Sequence, residues 1–256
     1  MAQWSTRRKS KYALGVCIAI IVVIVIPAYI FLYTPPTCTD GILNQDETGV
    51  DCGGSCPRIC STSYVSPQVS WARADQIGEG LYNLGAYVQN VNLLGGVKRA
   101  SYIFSVFDRE GHLIGERKGV MSIPPHKNVV AFERGVNTNK SIPFKVTFAF
   151  TEDLAWEAAQ PTDDTLVVVD RQFSSDETGS FLQAAIENRS LVPIKNIQVQ
   201  AVLYDGNGNV TGFSQSVVDV INRQSKEYVA FTWRAYGKRD VASSEIIPIV
   251  TPQYSK

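Results

Sequence analysis

Over most of the chain, apolar residues recur with the two-residue period of half-buried strands and not with the period of a helix. In ASYIFSVFDREGHLIG (Ala100 to Gly115), Tyr102, Phe104 and Val106 alternate with Ile103, Ser105 and Phe107. In IQVQAVLYDGNGNVTG (Ile197 to Gly212), Val199, Ala201 and Leu203 alternate with Gln200, Val202 and Tyr204. The two stretches align with each other without gaps. Upstream, AYVQN (Ala86 to Asn90) matches AAIEN (Ala184 to Asn188), and downstream, VVAFER (Val129 to Arg134) matches YVAFTW (Tyr228 to Trp233). The offset drifts by a residue or two, as changes in loop length would produce. An internal repeat of this kind predicts two related domains of about 95 residues each.

Turn chemistry supports the same elements. Asp108-Arg109-Glu110-Gly111 and Asp205-Gly206-Asn207-Gly208 are hairpin turns of the Asp/Asn-Gly kind. Short strands separated by turns, with no long helical stretch among them, predict antiparallel β-sandwiches. No cysteine follows Cys60, so both cores must rest on apolar packing. TEDLAWEAAQP (Thr151 to Pro161) is the exception. Thr151 could cap a helix, Glu152 and Asp153 suit its first turn, and Pro161 would stop it. It is expected to be a helical connector between the two sandwiches.

The N-terminus follows another pattern. Ala13 to Tyr33, ALGVCIAIIVVIVIPAYIFLY, carries no charge and follows Arg7, Arg8, Lys9 and Lys11. As a helix it would reach about 30 Å, enough to cross a bilayer core. Trp4 and Tyr12 on one flank, and Tyr29 and Tyr33 on the other, suit the two interfaces. A cleaved signal peptide would have a shorter apolar core and a small-residue exit, whereas this exit reads FLYTPPTC. An uncleaved signal anchor is expected, with the basic flank in the cytoplasm and the bulk of the chain exported. Cys17 lies inside the run as a small apolar filler.

Export decides how the next stretch is read. In TCTDGILNQDETGVDCGGSCPRIC (Thr37 to Cys60), the four residues Cys38, Cys52, Cys56 and Cys60 are expected to form two disulfides, with the pairing open. The stretch has too few apolar side chains for a core, so covalent closure supplies its order. Zinc on four thiolates is the alternative, but the spacing lacks close CxxC pairs. Calcium is the sharper one, because Asp40, Asn44, Asp46, Glu47 and Asp51 supply hard oxygen ligands. Against calcium stands the reading of these residues as an acidic, solvated turn.

Two resemblances bear on these elements. C-x-D-G-x-x-N-x-x-E-T-G-V-D-C-G-G-x-C-x-x-x-C, and above all DETGVDCGGSC (Asp46 to Cys56), resembles a short cysteine module of microbial surface and secreted proteins. It implies an extracytoplasmic setting. The strand-turn segments resemble the FxLYD family, small immunoglobulin-like domains of bacterial and archaeal surface proteins. One copy, Ala201 to Asp205, keeps Leu-Tyr-Asp with Ala201 in place of Phe. The other, Phe104 to Asp108, keeps Phe104 and replaces Leu-Tyr by Val-Phe. The resemblance implies an immunoglobulin-like fold for both copies and transfers no chemistry.

Candidate chemistry is sparse. Lys and Arg together number 24, as do Asp and Glu, and the basic residues are dispersed, which removes the electrostatic footprint for nucleic acid. His112 and His126 fall on turns of the first copy and have no counterpart in the second. There is no nucleophile elbow, phosphate loop or H-E-x-x-H. Asp108 and Asp205, with Gly111 and Gly208, are read as turn residues. Trp233, alternating with Phe231, is read as core, and Trp71 as a candidate aromatic anchor for a glycan or protein. Asn139, Asn188 and Asn209 open sequons.

The expected architecture is all-β: two tandem immunoglobulin-like antiparallel β-sandwiches after a single N-terminal transmembrane helix and a small disulfide-rich module. Residues 1–12 form a cytoplasmic basic tail, 13–33 the transmembrane signal anchor and 34–62 a cysteine-rich acidic stalk. Residues 63–160 form the first sandwich with its connector, and 161–256 the second. The expected function is non-catalytic: a membrane-anchored extracytoplasmic protein that presents both domains to another envelope or surface protein. A calcium- or carbohydrate-dependent surface adhesin, and an accessory subunit of a secretion or envelope enzyme complex, are the alternatives. No cofactor other than calcium is expected, and neither nucleic acid nor a small-molecule substrate.

Overall fold

A computed structural model of the chain describes residues 2–27, 29, 35–60, 63–159, 165–234 and 240–250. In its first half, β1 (Gln68–Gly78), β2 (Leu81–Gln89) and β5 (Asn128–Asn137) form one antiparallel sheet in the order β1-β2-β5. A second sheet has the order β4-β3-β6, from β3 (Gly95–Phe107), β4 (Leu113–Ile123) and β6 (Lys145–Phe150). After a short β7 (Trp156–Ala158), the same plan recurs. The strands β8 (Leu166–Asp176), β9 (Gly179–Asn188) and β12 (Ser225–Arg234) give the order β12-β9-β8. Lastly, β10 (Ile194–Tyr204), β11 (Val210–Ile221) and β13 (Ser243–Ile249) give β11-β10-β13. The repeat seen in the sequence is thus a repeat of topology.

Strand alternation fills each interior. Tyr102, Phe104 and Val106 of β3 pack against Leu84, Ala86 and Ala131 of the facing sheet. Val199, Ala201 and Leu203 of β10 pack against Leu182, Ala184, Ile186, Phe231 and Trp233. Trp233 is core, as its alternation with Phe231 indicates, and its indole N–H donates to the Phe213 carbonyl at 3.1 Å.

A buried asparagine closes the corner after the second strand of each copy. Asn90 donates its amide to the carbonyls of Gly95 and Pro124. Asn188, fully buried, donates to Val192, Ile221 and Asn222 and accepts from Ser190. The Asn188 sequon is therefore closed to a glycan in the folded chain, while Asn139 and Asn209 are exposed.

The connector differs from expectation. Trp156–Ala158 is a strand paired with Gly95–Val97 of β3, not a helix. Its other edge meets the cysteine module, where Ile59 N–H donates to the Trp156 carbonyl and Ala158 N–H to that of Pro57. The Trp156 ring is buried and stacks on Tyr64 at 4.5 Å. A helix this short is marginal on its own, and hydrogen bonds on both edges with a buried indole outweigh it. Pro161 lies outside the described residues. The same contacts correct the stalk reading: the module is docked on the first sandwich by backbone pairing, with an isolated antiparallel β-bridge between Arg58 and Glu157.

At the N-terminus, α1 (Ala2–Ile20) continues as a π-helical turn, Ile21–Val25. Among the described residues no helix is long and apolar enough to cross a membrane. The first part of α1 is the basic tail, and only its last two turns belong to the apolar run. Ala28 and residues 30–33 of that run lie outside the described residues.

Candidate functional site

Side chains distant in sequence converge where the two sandwiches meet. The outer face of sheet β1-β2-β5 lies against the outer face of sheet β11-β10-β13, giving four stacked layers. Trp71, Tyr87, Val130 and Phe132 come from the first sandwich, and Val202, Tyr204, Phe213 and Ile247 from the second. Phe213 packs on Trp71 at 5.6 Å and edge-on to Phe132 at 6.1 Å. Gly85 makes room for it, since a Cβ there would stand 2.7 Å from the ring. Trp71 thus has a partner within the chain and is not the exposed anchor that the sequence offered.

Polar groups in the junction are paired across it. Gln200, buried within β10, accepts from Val130 N–H at 2.7 Å and donates to the Val130 carbonyl at 2.6 Å. Its amide hydrogen-bonds β5 as a neighbouring strand would, covering an edge that otherwise invites pairing. Glu245 accepts from the hydroxyls of Tyr87 and Tyr204, one from each sandwich, both at 2.8 Å. Burial first, then the bond to Glu245 and its charge, push both tyrosine pKa values up, so the hydroxyls remain donors. Replacing Gln200 by Leu leaves both Val130 groups buried without partners. The expected loss is about 1–3 kcal/mol in urea unfolding, and a loss under about 0.5 kcal/mol would show that the bonds contribute nothing.

Beside this junction runs a cleft of 590 Å³, walled by Gln76, Asn83, Arg134, Ser214, Thr232 and Arg234 among others. No histidine, cysteine or carboxylate lines it. Acid–base and activated-nucleophile chemistry need such groups within hydrogen-bond reach, and the cleft offers none among the described residues.

In the module, Cys38 pairs with Cys56 and Cys52 with Cys60. Of the five acidic or amide residues weighed for calcium, Asp40 and Asn44 meet side chain to side chain at 2.9 Å, and among the described residues no three of the carboxylates bring ligand atoms together. Asp40 accepts from the N–H groups of Thr37 and Ile42 and from the Asn44 amide, and Asp51 from Gly41 N–H. Asp46 accepts from the Ser55 hydroxyl, and Glu47 from the N–H groups of Asn44 and Asp51. The Thr37 amide and then Asn44 hold the Asp40 pKa down, and Ser55 does so for Asp46. Among the described residues, the grouping that brings metal-type ligand atoms together is Glu47 with Cys38 and Cys56, whose sulfurs are disulfide-bonded and offer no thiolate. In the structure these carboxylates accept from donors of their own loop.

Asp108 and Asp205 take equivalent places. Asp108 accepts from His112 N–H at 2.8 Å, with Gly111 at φ +87°. Asp205 accepts from the N–H groups of Asn207 and Asn209, with Gly208 at φ +80°. His112 faces Asp108 at 3.2 Å on the exposed turn. His126 occupies a left-handed position, φ +49°, and its N–H bonds the Asn92 carbonyl. The Asn209 side chain, then its backbone N–H, hold the Asp205 pKa below the usual carboxylate value. A lowered folded-state pKa contributes stability above the unfolded value, about 3.9, that is lost as pH falls through the folded one. Asp205→Asn should therefore weaken the acid dependence of unfolding below about pH 4 and leave its slope near neutrality unchanged. An unaltered acid limb would remove this role for Asp205.

Gln200, Gly85 and Glu245 escaped sequence reasoning. One signal was present: the non-core face of β10, Gln200-Val202-Tyr204, is too apolar for a wholly solvated surface.

No family model matches the chain, and no curated protein matches it. Among solved structures it is similar to a red sea bream transglutaminase, at 12% identity and TM-score 0.26, over 73% of this chain and 31% of that one. It is also similar to a glycoside hydrolase family 2 beta-glucuronidase, at 12% identity and TM-score 0.22, over 85% and 29%. The chain spans under a third of the length of these two structures.

Proposed function

We propose that the chain is a single-pass, membrane-anchored extracytoplasmic protein without catalytic activity. It presents two FxLYD-type immunoglobulin-like domains, fused into one body, to another envelope or surface protein. The observation that carries this reading is the junction: polar and aromatic groups from both halves hold the sandwiches together, which leaves outer surfaces for function. The basic flank before an uncharged run, with disulfides directly after it, supports an anchor and an oxidising compartment. The adhesin alternative loses support, because Trp71 is packed against Tyr87 and Phe213 and the acidic loop binds its own backbone.

A contact surface is available on the first sandwich, at the end formed by the β3–β4 and β5–β6 loops. There Ile142 and Phe144 are 78% and 68% exposed, with Arg109 over the Phe144 ring at 5.7 Å. Exposed apolar side chains rimmed by charge mark interaction sites. A photo-crosslinking residue in place of Phe144, in cells making the full chain, should capture one dominant envelope protein. The same probe replacing Lys118 should capture far less of it. The reading falls if neither position yields a species and deletion of the chain leaves the envelope unchanged. Protease added to spheroplasts, whose outer barrier is removed, should reach the body, and complete protection there would overturn the orientation.

A further inference from the structure

We infer that the opposite end of the first sandwich is a lipid-contacting surface, so that the body sits on the membrane instead of standing off it. This rests on the anchor reading above. The β2–β3 loop exposes Val91, Leu93 and Leu94 at 56%, 63% and 54%, and Val65 beside it is 58% exposed. The loop is held in that state. The Asn92 side chain accepts from Val65 N–H and donates to the Val65 carbonyl, both at 2.8 Å. Asn90 accepts from Asn92, and Ala159 N–H bonds the Leu94 carbonyl. Adjacent aliphatic residues fixed outward on a loop tip lose nothing in lipid and are costly in water. Nearby Arg58, Lys98 and Arg99 are exposed, with Lys98 paired to Glu157, and cations at such a rim suit anionic headgroups.

Connectivity brings this end nearer the bilayer than the other. Four residues separate Tyr33 from Cys38, and the five steps along the chain span at most about 18 Å. The Cys38–Cys56 disulfide then covers 5.6 Å between Cα atoms. Pro57, next in the chain, bonds Ala158, and Ala158 pairs with Gly95, the neighbour of Leu94. These last steps add two strand spacings of about 5 Å each. Ile142 and Phe144 lie at the far end of β3, about 40 Å further on. The short tether and the docked module thus bring the Leu93 end, rather than the Ile142 end, within reach of lipid.

The test uses the full chain reconstituted in vesicles of phosphatidylcholine and phosphatidylglycerol brominated near the top of the acyl chains. Leu93→Trp, Leu94→Trp and, at the far end, Ile142→Trp each add one indole at an exposed site. After subtraction of wild-type emission, the first two should be quenched at least about three-fold more than the third, as for an indole at the interface. Equal quenching at both ends, or none at either, would overturn the lipid contact while leaving the anchor intact. Failure of the wild-type chain to float with the vesicles would remove the anchor reading itself, and the inference with it.

Discussion

Phe213→Ala should lower the unfolding free energy by about 3–5 kcal/mol, as removal of a fully buried aromatic ring does. The ring belongs to β11 in the second sandwich, yet its neighbours Trp71, Phe132 and Gly85 belong to the first. The loss therefore measures the junction as much as either core. Gly85 permits a sharper version. In the native chain Gly85→Ala sets a Cβ 2.7 Å from a rigid ring, an overpacking that costs about 1–3 kcal/mol. In the Phe213→Ala background that Cβ enters the vacated space, and the change should become neutral or favourable, since alanine loses less backbone entropy than glycine in a strand. The double-mutant cycle then gives a coupling of opposite sign to the single losses. Additive effects, or a loss under about 1 kcal/mol for Phe213→Ala, would show that the two sheets do not pack.

Much of this architecture was legible in the sequence, for a physical reason. Residues such as Phe104, Val199 and Leu203 face a core within their own domain, and that environment imposes a strict two-residue period. The turns were legible because Asp108 and Asp205 bond the backbone a few residues on, which is local chemistry. Gln200 was not legible. Its partner Val130 is distant in sequence, and an alternating glutamine is what a solvent-facing strand position normally carries. Gly85 was silent likewise, because only the ring that approaches it explains the missing side chain. Thr151 to Pro161 misled because local helix signals were sound and the competing contacts, from Gly95 and from Pro57 to Ile59, arrive from elsewhere in the chain. The acidic loop had two readings of equal chemistry, because a carboxylate that caps a backbone N–H and one that holds a cation look the same in sequence.

Asn188→Asp should be the most damaging isosteric change in the second sandwich. The amide nitrogen it removes shares its two hydrogens among three carbonyls, at 2.8, 3.1 and 3.1 Å. A carboxylate there sets negative oxygen against all three without solvent, at a cost of about 3–5 kcal/mol. Protonation relieves the charge but restores only one donor. Burial raises the pKa of such a group, so the folded variant holds its proton more tightly than the unfolded chain. Its destabilisation is then smallest in acid and grows as pH rises past the unfolded value of about 3.9. Asn90→Asp should act alike in the first sandwich, whereas Asn139→Asp, on an exposed turn, should change stability by less than about 0.5 kcal/mol. The two buried variants also separate one body from two. If Gln200, Glu245 and Phe213 join the sandwiches into a single cooperative unit, either substitution lowers one shared thermal transition for the whole β body. A split transition in Asn188→Asp, with the first sandwich melting where the native chain does, would mean that the junction transmits no stability and the domains fold apart.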